Sequence, residues 1–436
     1  MEQEVKLNTR HKALHINLDH KIYGSFAEIG AGQEVARQFF RAGGASGTIA
    51  RSLSAYDMQE SDAIYGVEKS GRYVARPRLE SMLETEFSLT VERIKSHRPP
   101  DTTFFAFANT VAAKAYKSKR DSHGWLGIKF QHKGGAEPSK IVVHVRMLDD
   151  DNTDQQAALG ILGVNLIYAA YNFFEDPETL LDTLFEDLTL SRIEINFIHF
   201  EGPAFENLSN TQMNIRLVTS QLGEVVMFGT SGEPEDPSEL LYKKHVVVLR
   251  GTFRPFLDLH ADMVARGLVA FTESMGLRSD EVLCICEMNT SRYIADGSDD
   301  ISDMEDRIMR ITHLGFNVLV TSFYRYFRLS EYFTRYDPNR RVGFILSVEN
   351  ILTIFDERYY DGMEGKGGML EAMGKLFASH SQLMVYPNMT AEGAVITAET
   401  VMVPDKYKFL YKHLLYNSRV VPLFPNAECL TPLPSR

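Results

Sequence analysis

Cysteine is scarce, with three in 436 residues: Cys284, Cys286 and Cys429. There is no CxxC pair and no Cys/His spacing of a zinc site, so the chain offers neither a disulfide framework nor a cysteine metal centre. A two-residue separation puts Cys284 and Cys286 on one face of a strand. A role as small buried hydrophobes in a reducing compartment is expected there. No apolar run approaches the ~18 residues of a membrane helix, and the first twenty residues lack the apolar core of a secretory signal. The expected location is cytoplasmic, with no membrane partner. Positive charge is also short: Lys and Arg number 46 against 58 Asp and Glu, a net −12. That balance argues against a nucleic-acid partner held through its phosphates.

What is present is apolar substance. Hydrophobic residues make up 44% of the chain, with 27 Phe and 19 Tyr. This is enough for a large core and permits a homo-oligomeric interface. The length calls for more than one domain. Residues 1–235 read as an α+β domain. "TTFFAFANTVAAKAY", "GWLGIKFQ", "KIVVHVRML" and "RIEINFIHF" are strand-like, and "QQAALGILGVNLIYAAYNFF" is a buried helix. "GTSGEPEDPSEL", residues 229–240, reads as a linker. From 241 to 420 strands and helices alternate, which predicts a Rossmann-like, mostly parallel, doubly wound sheet. In "ISDMEDRIMRITHLG", Ser302 and Glu305 fit a capping box. Residues 421–436 read as a proline-rich tail.

The stretch "KKHVVVLRGTFRPFLDLHADMVARGLVAF" carries the first candidate chemistry. An apolar strand stops at Arg250-Gly251, turns through Thr252, Phe253, Arg254 and Pro255, and enters a helix whose first turn holds His260. A glycine after a strand lets the backbone approach a ligand. Helix N-termini beyond the carboxyl ends of parallel strands attract anions. Gly251, Thr252, Phe253, Pro255 and His260 resemble the G-[ST]-F-x-P-x4-H signature of the nucleotidyltransferases that include nicotinamide and nicotinate mononucleotide adenylyltransferases. The resemblance implies ATP and Mg²⁺, with residues 251–255 shaping a phosphate turn, and in-line transfer driven by positioning and charge stabilisation. Its catalytic candidates are His260 and Arg254, with Arg250 adding positive charge. The chain departs from the signature at Leu257, where many members have a histidine, and at Arg254, where Asn is common. "MNTSRY", with Thr290, Ser291 and Arg292, has the residue types of the second signature but comes too early.

The opening "YGSFAEIGAGQEVARQFFRAGG" is rich in glycine. Gly30 and Gly32 with Arg37 suggest a phosphate-cradling turn that runs into a helix. The fingerprint is incomplete, and no strong strand pattern precedes it. Close helix packing is the alternative. Taken whole, the chain resembles a bacterial family with the blocks "FAEIGAGQEVARQFFRAGGASGTIA…SAYDM", "HVRMLD" and "LYKK…RGTFRP". Members of that family carry labels that include nicotinamide mononucleotide adenylyltransferase and TonB-dependent receptor. The alternating strands of an outer-membrane barrel are missing from this sequence.

Several smaller constellations have bland alternatives. Asp149, Asp150 and Asp151 could hold a metal or form an acidic turn. His11 and His15 share a helical spacing with no third ligand, in a segment expected to be loose. Trp125 beside His123 could stack on a base or fill a core. Gly365, Gly367 and Gly368 precede a helix as a second candidate anion turn. The function expected is a nucleotide-dependent enzyme transferring an adenylyl group to a mononucleotide. The alternatives are a non-catalytic nucleotide-binding, regulatory or assembly protein, or an enzyme with its site in the glycine-rich half.

Overall fold

The computed structural model describes residues 7–30, 32–68, 71–113, 122–290, 300–363, 367–378, 380–390 and 393–424. Ser291, Arg292, Gly365 and Cys429 lie outside them. The chain divides into two compact units, Met1–Glu224 and Val225–Arg436. Among the described residues no helix is long and apolar enough to cross a membrane.

The first unit is built on a six-stranded mixed sheet. Its strands are β1 (Ile22–Gly30), β2 (Ile49–Leu53), β3 (Thr103–Ala112), β4 (Ser122–Phe130), β5 (Ser139–Met147) and β6 (Ile193–Glu201). They lie in the order β2-β1-β3-β4-β5-β6, parallel at β2-β1-β3 and antiparallel from β3 onward. Strand β1, which lacks a strong pattern in the sequence, is interior. Its Gly24, Ser25, Ala27 and Glu28 are poor strand formers, and pairing on both sides overrides that propensity. The reason for Gly24 is steric: a Cβ there would lie 2.4 Å from the Phe105 ring.

Both faces of this sheet are covered. Helix Arg76–Ile94 sets Leu79, Met82 and Leu83 against Ala27, Ala108, Trp125, Val142 and Phe197. On the other face Val35 and Phe107 meet Gly163 of helix Asn152–Asn172, where a Cβ would be 2.4 Å from Val35. The N-terminal segment expected to be loose is instead helix Thr9–Leu18. Asn8 caps it by accepting from the His11 N–H at 3.0 Å. The fully buried Lys12 anchors it, with Nζ 2.7 Å from Asn165 Oδ1 and 2.5 Å from Glu186.

The second unit holds an eight-stranded sheet of β7 (Val225–Phe228), β8 (Pro234–Glu235), β9 (His245–Arg250), β10 (Val282–Asn289), β11 (Asn317–Thr321), β12 (Arg341–Ser347), β13 (His380–Tyr386) and, after the small ribbon β14 (Asn388–Met389) and β15 (Val395–Ile396), β16 (Val420–Pro422). The order is β16-β13-β12-β9-β10-β11-β7-β8. Strands β9 to β13 and β16 pair in parallel. This is the doubly wound order in which the chain starts centrally, winds one way, then returns to the other side. The reversal falls between β9 and β12.

Three boundaries differ from the sequence expectation. Strand β7 pairs antiparallel with β11, so the second unit begins at Val225, and residues 229–240 lie within it. Val420 and Val421 pair with β13, so the sheet continues past 420 into the expected tail. Helix Ile301–His313 is capped by Asp300, which accepts from the Asp303 N–H at 3.0 Å. Ser302 therefore sits inside the helix rather than at its cap, and starting at Ile301 buries that side chain.

Candidate functional site

The glycine turn of the second unit runs out of β9 at the point where the winding reverses. Helix Asp258–Met275 follows it, and Arg254-Pro255 is a cis peptide. The structure brings residues 250–260 together as one turn, and shows what each side chain already does.

Arg250 turns back over the sheet. Its Nε lies 2.6 Å from Glu287 Oε2, and one terminal nitrogen 3.0 Å from Glu287 Oε1. The terminal nitrogens also donate to the carbonyls of Tyr324 at 2.8 Å and Phe323 at 2.7 Å. The guanidinium stacks 4.7 Å from the Tyr326 ring. Burial works against its charge, but the facing carboxylate outweighs that and holds its pKa above the ordinary arginine value. The cation is committed to the ends of β9, β10 and the segment after β11.

Gly251 makes room for a side chain of its own turn. A Cβ there would lie 2.8 Å from the ring of Phe253, which is buried and adopts φ +50°. The Thr252 carbonyl accepts from Arg307 at 2.7 Å. Arg254, half exposed, bonds Asp303 at 2.6 Å. His260 caps its own helix: its Nδ1 accepts the Leu257 N–H at 2.9 Å. Burial lowers its pKa, and the ring lies edge-on to Phe253 at 5.3 Å. Accepting at Nδ1 puts the proton of the neutral ring on Nε2, so His260 presents a neutral N–H donor.

Sequence reasoning missed Glu287, Thr321, Asn289 and Tyr326. Glu287 is fully buried and also accepts from Thr321 Oγ1 at 2.5 Å. Asn289 donates to the Phe323 carbonyl. Burial raises the Tyr326 pKa, and among the described residues its hydroxyl has no hydrogen-bond partner. A strand ending "CICEMN" gave one signal, a glutamate in an otherwise apolar run. The partners lie on other strands.

The glycine-rich opening of the first unit is a separate turn. Gly30 has φ +78°, and a Cβ there would be 2.2 Å from the Val111 carbonyl oxygen. One on Gly32 would be 2.1 Å from Asn109 Oδ1. Both glycines are required by the close passage of β3. The N-terminus of helix Val35–Ala42 is taken by Glu28, whose Oε1 accepts from the N–H groups of Val35 at 3.1 Å and Ala36 at 3.2 Å. Burial pushes the Glu28 carboxyl up to about 8. The protein's own carboxyl thus sits where a phosphate would dock. Arg37 pairs on the surface with Glu34 at 2.8 Å.

Other candidates resolve into structure. Asp151 caps helix Asn152–Asn172, and Asp149 bonds Arg192 at 2.9 Å. His15 packs against Tyr168. Cys284 and Cys286 lie on β10, and burial pushes the Cys284 thiol up to about 11. A protonated thiol is a poor nucleophile.

No family model matches the chain. No curated protein matches it either. Part of the chain overlaps several solved structures. The competence/damage inducible protein CihA from Agrobacterium tumefaciens is 18% identical, with 38% of this chain and 98% of that one covered, at a TM-score of 0.28. A competence-damaged protein (CinA) superfamily member from Klebsiella pneumoniae is 11% identical over 38% and 98%, at 0.28. One from Enterobacter cloacae is 12% identical over 42% and 96%, at 0.27. Likeness at this level carries no argument about substrate.

Proposed function

We propose that the second unit binds a nucleotide in the crevice beyond the carboxyl ends of β9 and β12, and that its reaction is adenylyl transfer from ATP to nicotinamide or nicotinate mononucleotide. The observation that supports this reading is the strand order. The winding reverses between β9 and β12, and open α/β sheets place ligands at that reversal. The turn of residues 250–260 leaves β9 there and enters an eighteen-residue helix, Asp258–Met275. Its N-terminal amides and dipole suit a phosphate.

The groups for the phosphates are the backbone N–H groups of Thr252 and Phe253, the Nε2–H of His260, and Arg254 moving from Asp303; the Gly251 N–H is held by the Glu287 carbonyl at 3.0 Å. Arg250 acts one layer further in, fixing the floor of the site. Among the described residues no group of three His, Cys, Asp or Glu side chains could cage a metal. Mg²⁺ would therefore arrive on the ATP phosphates, as this cation ordinarily does in phosphoryl-transfer sites.

The test mixes the purified chain with ATP, Mg²⁺ and either mononucleotide and looks for the dinucleotide, with ATP binding followed by calorimetry. Dinucleotide formation, lost in Arg254→Ala, is the expected result. Absence of both product and ATP binding overturns the reading. ATP binding without product selects the second reading, a non-catalytic nucleotide-binding protein. The commitment of Arg250 to Glu287 and of His260 Nδ1 to Leu257 favours that reading.

A further inference from the structure

Within this acidic chain, positive charge and exposed aromatic rings coincide on one short helix of the second unit. Helix Lys408–Tyr416, "KFLYKHLLY", contains no acidic residue. Tyr411 and Leu414 hold it to the core, and the Tyr411 hydroxyl donates to the Ala398 carbonyl at 2.7 Å. At about 100° per residue, Phe409 and Tyr416, seven positions apart, nearly superimpose on the opposite face. Phe409 is 80% and Tyr416 90% exposed. Lys408 and Lys412 flank this ridge on one side and His413 on the other, all three exposed. Neither lysine has an ion pair among the described residues.

Beside the start of the helix lies an open groove of about 720 Å³. Leu352, Met402 and Pro404 form its apolar wall, and Asp356, Glu357 and Asp405 supply its acids. Asp356 is matched by Arg358 at 2.6 Å and Glu357 by Lys406 at 2.6 Å. The Asp405 carboxylate has no hydrogen bond or ion pair among the described residues. The groove therefore keeps an uncompensated negative charge, and the helix two uncompensated positive ones.

An apolar patch rimmed by charge marks an interaction surface. A helix with anchors at i and i+7 has the shape that enters an apolar groove. The helix cannot swing into the groove beside it, because Tyr411 and Leu414 anchor it to its own core. A second copy related by a two-fold axis meets no such restriction: each ridge enters the other copy's groove, and the surface is complementary to itself.

We propose that a second copy of this chain docks here, as a two-fold dimer. Phe409 and Tyr416 of each copy fill the groove of the other, and Lys408 and Lys412 face the acids around Asp405. Two-fold pairing counts each ring twice. Four aromatic side chains bury roughly 600–1,000 Å² before Met402 and Leu352 are added, which reaches the size of a small specific interface. An anionic lipid surface is the poorer match, since it attracts the lysines but repels Asp356, Glu357 and Asp405 beside them. The dimer uses no residue of the turn 250–260, so it stands apart from the nucleotide reading.

Sedimentation velocity of the full-length chain over a concentration series reads the dissociation constant. The wild type is expected to dimerise. Phe409→Ala, a change at an exposed side chain, should weaken the dimer by roughly 30-fold or more, as loss of a central aromatic anchor does. Two charge variants test the geometry: Lys408→Glu combined with Lys412→Glu on the helix, and Asp405→Lys in the groove. Each alone should weaken self-association about tenfold by setting like charges against each other. Mixed in equal amounts, the two variants should pair with near wild-type affinity, because every helix then meets a groove of opposite charge. All these side chains are exposed, and an unchanged unfolding midpoint confirms that each variant is folded. A monomer at every concentration overturns the proposal. So does a dimer that Phe409→Ala leaves intact, or a mixture of charge variants that does not recover. A monomer that binds phosphatidylserine vesicles, and loses them with the lysine changes, also overturns it and assigns the face to a lipid surface.

Discussion

Arg250 and Glu287 face each other across adjacent parallel strands, in register, with two nitrogens of one 2.6 and 3.0 Å from the two carboxylate oxygens of the other. Glu287 is fully buried. Removing one partner leaves the other charge buried, which costs about 3–5 kcal/mol, whereas replacing both with apolar groups can be near neutral. Glu287→Ala is expected to lower unfolding stability by that amount in urea. Arg250→Met combined with Glu287→Met should recover much of it. A Glu287→Ala loss below about 1 kcal/mol would show that the pair is not buried as described.

Gly251 and Phe253 give a second test. Gly251→Ala forces a methyl into the Phe253 ring and should cost about 1–3 kcal/mol by overpacking. With Phe253→Ala in the background the added cost should fall away, a non-additivity readable in a double-mutant cycle. If Gly251→Ala instead abolishes ATP binding in both backgrounds, the glycine serves the ligand and not the ring.

His260 has a structural duty that a catalytic assignment would hide. His260→Ala removes the acceptor for the Leu257 N–H and is expected to lower stability by about 1 kcal/mol. His260→Asn, with a carbonyl acceptor near the Nδ1 position, should restore most of it. A dinucleotide-forming rate that follows stability across both variants would confine His260 to capping. A rate lost in both, with stability restored in His260→Asn, would place its Nε2–H on the phosphates.

Glu28 predicts a pH dependence. Its carboxyl is raised from 4.5 to about 8 by burial. The folded chain therefore keeps this proton at pH values where the unfolded chain has released it. Between those two values stability falls as pH rises, by up to ~1.4 kcal/mol per unit from this one group. Glu28→Gln keeps an oxygen for the Val35 and Ala36 amides and removes the titration. The measurement is urea unfolding at pH 5, 6 and 7. The difference between variant and wild type should grow in favour of Gln as pH rises, and a constant difference would refute the raised value.

The sequence by itself determined the class of each half, because that information is local. Valine-rich runs such as "HVVVL" and "FILSV", each followed by a helical period, must form buried parallel strands with crossover helices. The strands of the first half are likewise marked locally, by their β-branched and aromatic residues. The strand-to-helix position of Gly251 was also legible, since a glycine ends an apolar run there. Strand β1 was not legible: Gly24, Ala27 and Glu28 extend only because neighbours pair on both sides and Phe105 needs the space at Gly24.

Only the tertiary structure decided what the candidate residues touch. Arg250 meets Glu287 from 37 positions away, Gly251 yields to Phe253, Gly30 and Gly32 yield to β3, and Glu28 fills the helix end offered to a phosphate. Spacing along a chain fixes which face a residue occupies. Which partner shares that face depends on strand order, and strand order is set by how the whole core packs.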